Sequence, residues 1–234
     1  MNAFDASIIE YLNQYARQSW TLDHTIHLIE GNHLIKGGIL MLVFWWAWFR
    51  EGNRISVRPH LVSTLAACFV AIAAGRMLAR VAPFRPRPLH DDSLGLTLPY
   101  SMSRTILEGW SAFPSDHAVL FYALATGMFF ISARVGIFAI LFVTRVISLP
   151  RVYLGLHYPT DIAAGAVVGI AIALLFNLSA FNESVSKPIA SWSEVRPEYF
   201  YPILFLATFQ VVDMFDSTRF ILEYLHSIVL PLML

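Results

Sequence analysis

Residues 113–133 read FPSDHAVLFYALATGMFFISA, a short polar opening followed by a run that carries no charge beyond His117. Proline is pre-shaped for a first helical turn, and the apolar length approaches the roughly 20 residues that cross a bilayer. The stretch predicts a membrane helix with chemistry at its start. Backbone N–H groups and the positive dipole end at such a start make an anion site. Working outward, apolar spans recur at 34–49, 59–79, 135–150, 160–181 and 199–215. The expected architecture is all-α, an integral-membrane bundle of about six transmembrane helices forming one domain over 1–234. Beyond Asp213, Asp216 and Arg219, the apolar stretch Phe220–Leu234 is open to an interfacial or a spanning placement.

Composition points the same way. Of the 234 residues 57% are hydrophobic and only 14% charged, with a mean hydropathy of +0.60, whereas soluble domains average about 25% charged residues. There are too few charges to cover a globular surface. A formal net charge of zero offers no basic field for nucleic acid, and the lone Cys68 excludes an intramolecular disulfide. No basic start followed by an apolar core marks a cleavable signal in the first 30 residues. There Ile8, Ile9, Leu12, Tyr15 and Ala16 recur at helical spacing, which fits an N-terminal amphipathic helix at the membrane interface or one packed on the outer face.

Three polar clusters interrupt the apolar pattern: Arg80 with Arg87-Pro88, then Pro114-Ser115-Asp116-His117, then Arg151 with His157 and Asp161. If the six spans alternate, segments 80–112 and 150–160 share one side, which brings all three clusters to the same face. Together they hold three guanidinium groups, two imidazoles and a carboxylate, which is equipment for binding phosphate, attacking it through histidine and protonating a leaving group. Arginine is the favoured cation here, since only Lys36 and Lys187 among the 16 basic residues are lysine, and its planar fork suits phosphate oxygens. Arg76 and Arg85 read equally well as interfacial anchors. Arg145, inside the fourth span and six residues before Arg151, reads either as approaching the site from below or as a structural ion-pair partner of Asp161 or a loop acid. His157 and Asp161 are four apart, a spacing that lets the carboxylate take one ring N–H and leave the other nitrogen free to attack. No cluster of oxygen ligands suits magnesium, and His90, Asp91 and Asp92 read as a solvated loop. The expectation is no metal and no cofactor.

The spacing Arg80-(six residues)-Arg87-Pro88, then Pro114-Ser115-Asp116-His117, then Arg151-(five residues)-His157-(three residues)-Asp161 closely resembles the signature of the type 2 phosphatidic acid phosphatases, the lipid phosphate phosphatases. The resemblance covers 80–161 and departs from the usual pattern at three positions. Arg80 stands for lysine, Asp116 for glycine and Pro150 for serine. A Pro-Ser-Asp-His version is similar to bacterial members acting on polyprenyl diphosphates. The resemblance implies that His157 is the nucleophile that becomes phosphorylated, that Asp161 orients it, and that His117 protonates the leaving oxygen. It further implies that Arg80, Arg87, Arg151 and Ser115 bind the phosphate.

The expected function is hydrolysis of a lipid phosphate, with undecaprenyl diphosphate as the first choice and phosphatidylglycerol phosphate or phosphatidic acid as alternatives. A lipid phosphotransferase and a non-enzymatic lipid transporter are the competing classes. The expected setting is a bacterial inner membrane with membrane lipids as partners. Counting Arg50, Arg54, Arg58, Arg134, Lys187 and Arg196 on the side opposite the clusters makes that side cytoplasmic, so the site faces outward.

Overall fold

The computed structural model describes residues 2–50 and 54–232, whose regular elements are helices with no strand among them. Residues 51–53, within the expected connection 50–58, and 233–234, at the end of the last apolar stretch, lie outside the described residues, as does the side chain of Arg54. We number the helices α1 (Ala3–Asn13), α2 (Trp20–Gly31), α3 (Leu34–Phe49), α4 (Arg54–Val81), α5 (Asp116–Met128), α6 (Ala133–Tyr153), α7 (Pro159–Phe176), α8 (179–195), α9 (Pro197–Val212) and α10 (Asp216–Leu232). Several starts are written locally. Asn2 caps α1 by accepting from Asp5 N–H at 2.7 Å, and Ser19 and Ser132 accept from Leu22 and Val135 N–H at the starts of α2 and α6.

Among the described residues three helices are long and apolar enough to cross a membrane: Ser56–Val81 within α4, and α6 and α7. Helix α3 is apolar but shorter. Exposed apolar side chains such as Leu42, Met77, Val167, Leu175 and Phe205 cover the bundle's outside, as a hydrocarbon environment requires. The opening stretch 113–133 folds differently from a simple span. Its helix α5 has 13 residues, and every one from Ala118 to Met128 is buried, at about 1.5 Å of rise each. Its apolar character serves protein packing, since α4, α6 and α7 all pack on it.

Small residues permit that packing. A Cβ on Gly169 of α7 would lie 2.2 Å from the Val119 carbonyl oxygen of α5, and one on Gly127 of α5 would lie 2.1 Å from Thr64 Oγ1 of α4. Around this centre Leu40, Phe44, Trp48, Leu61, Leu120, Leu124, Met128 and Ile147 form one buried cluster.

Two helices at the N-terminus replace the one expected: the pattern of Ile8 to Ala16 breaks at Asn13, and Arg17 adopts a positive φ of 62° before α2. Ile9 and Ala16 are buried while Tyr15 is exposed. Helix α1 packs against α6 and α7. The long segment from α4 to α5 is tied to these helices. Asn13 exchanges hydrogen bonds with Thr97 at 2.7 and 3.0 Å, and buried Asp23 accepts from Tyr100 N–H at 2.8 Å and Tyr153 O–H at 2.5 Å.

Candidate active site

The end of α4, the start of α5, the end of α6 and the start of α7 meet at one place. Ser115 N–H donates to the Asp161 carbonyl at 3.3 Å, which joins the second and third clusters. His157, 1% exposed, precedes α7. Its Nδ1 lies 2.8 Å from the Ala112 carbonyl. A carbonyl only accepts, so Nδ1 carries the hydrogen and Nε2 holds the free lone pair. That lone pair faces Arg151 Nη2 at 3.2 Å and Arg87 Nη1 at 3.3 Å. Burial, then Arg151 and Arg87, hold the imidazole well below its usual titration range, so the ring is neutral at neutral pH. A neutral nitrogen between two guanidinium groups has the chemistry of a nucleophile beside an anion site.

Arg87 is fixed by carbonyls: Nη1 donates to Leu156 O at 2.8 Å, Nε to Trp110 O and Nη2 to Ser111 O, each at 3.3 Å. Burial and the neighbouring Arg151 lower it to about 10, which leaves it charged at neutral pH. Arg151 pairs with Glu30 of α2, while its Nε is buried without a hydrogen-bond partner. An unsatisfied buried guanidinium donor is costly, and a phosphate oxygen is the acceptor it suits. Glu30 itself is opposed by burial, but Arg151 and Lys36 outweigh that and hold its carboxyl below the usual range. Arg80 lines a cavity of about 620 Å³ together with Arg87, Pro114, Asp116 and His157.

Asp161 is placed differently from the expectation. Its Oδ2 lies 3.8 Å from His157 Nδ1 and accepts from Tyr158 N–H at 2.8 Å, so it caps α7 while Ala112 takes the ring N–H. The cause is helical register: α7 begins at Pro159, too late for His157 to share its face. Oδ1 of Asp161 accepts from Arg85 Nη1 at 2.5 Å. Asp116 has the orienting contact instead, on the other imidazole. Its Oδ1 accepts from His117 N–H at 2.8 Å and lies 3.0 Å from His117 Nδ1. Ser115 is fully buried and caps α5 by accepting from Ala118 N–H at 3.4 Å, so Pro114 precedes the cap and is not the first helical residue. Ser115 and Asp116 therefore take up two N–H groups that the sequence leaves free for an anion. Arg145 is exposed and pairs with no carboxylate among the described residues. His90, Asp91 and Asp92 do not converge: His90 turns to Ile106 O at 3.1 Å and Asp92 to Arg104 at 2.5 Å.

Four residues outside the expected set hold the site. Arg85 bridges Asp161 and Asp5, the latter at 2.9 Å, and lies 3.9 Å over the Tyr158 ring. Asp5 is fully buried and accepts from Thr160 N–H at 2.9 Å and Thr160 O–H at 2.7 Å. Glu30 braces Arg151, and Lys36 Nζ lies 3.3 Å from His117 Nε2. The sole sequence signal for them was polarity within apolar surroundings, since their partners are 76 to 155 residues away. The C-terminal helix α10 adds Arg219, Leu222, Glu223 and His226 to the cavity wall.

A family model for the PAP2 superfamily matches residues 80–184, the stretch that contains all three clusters and the convergence just described. Over these residues the chain is similar to the PAP2 superfamily. Among curated proteins it is 24% identical to the Bacitracin transport permease protein BcrC of Bacillus licheniformis, over 70% of this chain and 74% of the relative. It is 23% identical to the Undecaprenyl-diphosphatase BcrC of Bacillus subtilis (strain 168), over 72% and 80%. It is 29% identical to the Lipid A 1-diphosphate synthase of Escherichia coli (strain K12), over 73% of each. No solved structure gives a significant match. Family and relatives support a membrane-bound lipid phosphate or diphosphate phosphatase. Asp5, Glu30 and Lys36 lie outside the matched residues.

Proposed function

We propose that this protein removes the terminal phosphate of a lipid diphosphate through a phosphohistidine at His157, with undecaprenyl diphosphate the preferred substrate. The observation that carries it is the His157 ring: Nδ1–H is fixed on Ala112 O, and Nε2 is directed at Arg87 and Arg151. Nε2 attacks the terminal phosphorus and the bridging oxygen leaves with a proton from His117. Water activated by His117 then cleaves the P–N bond, releasing phosphate and restoring the lone pair. Arg80, Arg87 and Arg151 stabilise the charge on the non-bridging oxygens. Ser115 and Asp161 shape this arrangement as caps, and Asp116 orients His117. No step invokes a metal ion.

In this reading helices α3, α4, α5, α6, α7 and α9 form the bundle in a bacterial inner membrane. The site lies at the outward-facing helix ends, where a lipid phosphate meets water. The similarity to a diphosphate synthase supports a second reading, in which the phosphohistidine passes its phosphoryl group to another lipid phosphate.

The test uses the purified chain in detergent with undecaprenyl diphosphate, phosphatidylglycerol phosphate and phosphatidic acid. Release of phosphate by the wild type, absent in His157→Ala, and a labelled phosphoenzyme trapped on acid-free quenching are expected. Stoichiometric phosphorylation of an added lipid acceptor without free phosphate would replace hydrolysis by transfer. Full activity of His157→Ala would overturn both.

A further inference from the structure

Lys36 is 3% exposed, on a helix that precedes the family signature, and its ammonium stands beside the second catalytic imidazole. His117 has two ring nitrogens with different neighbours. Nδ1 is 3.0 Å from Asp116 Oδ1, a carboxylate that can accept its hydrogen, so Nε2 is the nitrogen left to exchange a proton with a leaving oxygen. Lys36 Nζ lies 3.3 Å from that Nε2. An oxygen taking a proton from Nε2 must come within about 3 Å of it, and one approaching on the Lys36 side of the ring also meets the ammonium.

Charge pairing leaves this ammonium available. Its carboxylate neighbour is Glu30 at 3.9 Å, and Glu30 makes its close pair with Arg151 instead. An ammonium has three donors in a compact head, and a buried charge is tolerated only with hydrogen-bonding partners. An alcohol leaving from a phosphate monoester needs a proton and departs neutral, which gives a cation nothing to hold. A lipid phosphate leaving from a diphosphate departs as an anion, and a fixed cation at its oxygen stabilises the charge as it develops.

We propose that Lys36 binds the departing phosphate and makes this site selective for lipid diphosphates over lipid monophosphates. The proposal rests on the phosphohistidine reading above and adds to it the residue that sets the preference for a diphosphate. In the step concerned, the bond from the terminal phosphorus to the bridging oxygen breaks as the P–Nε2 bond to His157 forms. The bond's electron pair stays on the departing phosphate, where Lys36 and the His117 proton meet it.

Farnesyl diphosphate and farnesyl phosphate, which share one chain, are the probes for phosphate release by the full chain in detergent. Lys36→Met is expected to lower kcat/KM for the diphosphate by about 10–100-fold, the effect of losing a hydrogen bond to a charged group. The ratio of diphosphate to monophosphate kcat/KM should fall at least about tenfold. Lys36→Arg, which keeps the charge, should hold that ratio within about threefold of wild type. An unchanged ratio in Lys36→Met, or a ratio in Lys36→Arg as low as in Lys36→Met, would overturn the inference while leaving the phosphatase intact. No release from either lipid by the wild type would overturn the phosphatase reading and this inference with it.

Discussion

Replacing Gly165 by alanine tests whether the crossing of α5 and α7 sets the geometry of the catalytic groups. Gly165 sits one turn beyond Asp161, and a Cβ there would lie 2.7 Å from Ser115 O, 2.9 Å from Ala118 Cβ and 3.2 Å from Val119 N. Ordinary contact begins near 3.5 Å, so relief at the carbonyl needs a shift of about 0.8 Å. Backbone cannot rotate away as a side chain can, so the helices must part. Such overpacking costs about 1–3 kcal/mol, offset by roughly 0.5–1 kcal/mol from alanine's better helix formation. Melting temperature should fall by only a few degrees, at about 2–4 °C per kcal/mol for a chain of this size. Activity should suffer more. The same crossing sets His117 against His157, and a misplacement of about 1 Å costs about 100-fold, so kcat should drop about 10–100-fold. Initial-rate phosphate release and thermal melts of the same preparations check this. Gly31→Ala, which meets nothing within 4 Å, serves as the neutral comparison. Gly165→Ala with wild-type kcat and melting temperature would refute the argument that this crossing controls the site.

Asp5→Ala should destabilise the chain by about 1–3 kcal/mol, because it strips acceptors from Thr160 and leaves Arg85 with one carboxylate; thermal melts check the loss and a parallel fall in kcat. Asp116→Asn should lower kcat about 10–100-fold with little change in KM, since His117 loses the charge that orients its ring and favours its protonated form; steady-state kinetics separate the two constants. His157 has a depressed folded-state range, so its contribution to stability is complete above about 6.5 and is lost as pH falls below that value, where only the unfolded chain gains a proton. Nitrogen NMR of labelled histidine should show a neutral ring with hydrogen on Nδ1 at pH 6, and titration of His157 near 6.5 would contradict the burial argument. Phosphate release should persist in excess chelator, and its loss and recovery with added magnesium would sink the metal-free step.

The legible part of this protein is local in sequence. Hydropathy marked the apolar helices because every backbone group in a membrane must be satisfied within its own segment. The spacing among Arg87, Ser115, His117, Arg151 and His157 marked the site because residues at adjacent helix ends keep short, fixed offsets. Local reasoning failed where register decided the outcome. Asp161 lies four residues from His157, yet a helix start at Pro159 turns it to cap duty, and the ring N–H goes to Ala112, 45 residues away. The hydropathy of 113–133 could not distinguish lipid from protein as its surroundings, since both are apolar; only packing by α4, α6 and α7 identifies α5 as the buried centre. Asp5, Glu30 and Lys36 looked like isolated polar residues on N-terminal helices. Their roles required docking against Thr160, Arg151 and His117 across 155, 121 and 81 residues. The sequence by itself determined which segments are helical and apolar and which polar side chains stand between them, because those depend on nearest neighbours along the chain. Tertiary structure alone decided which carboxylate meets which imidazole and which cation stands beside His117, because charge pairing falls off over a few ångströms and only the folded bundle sets those distances.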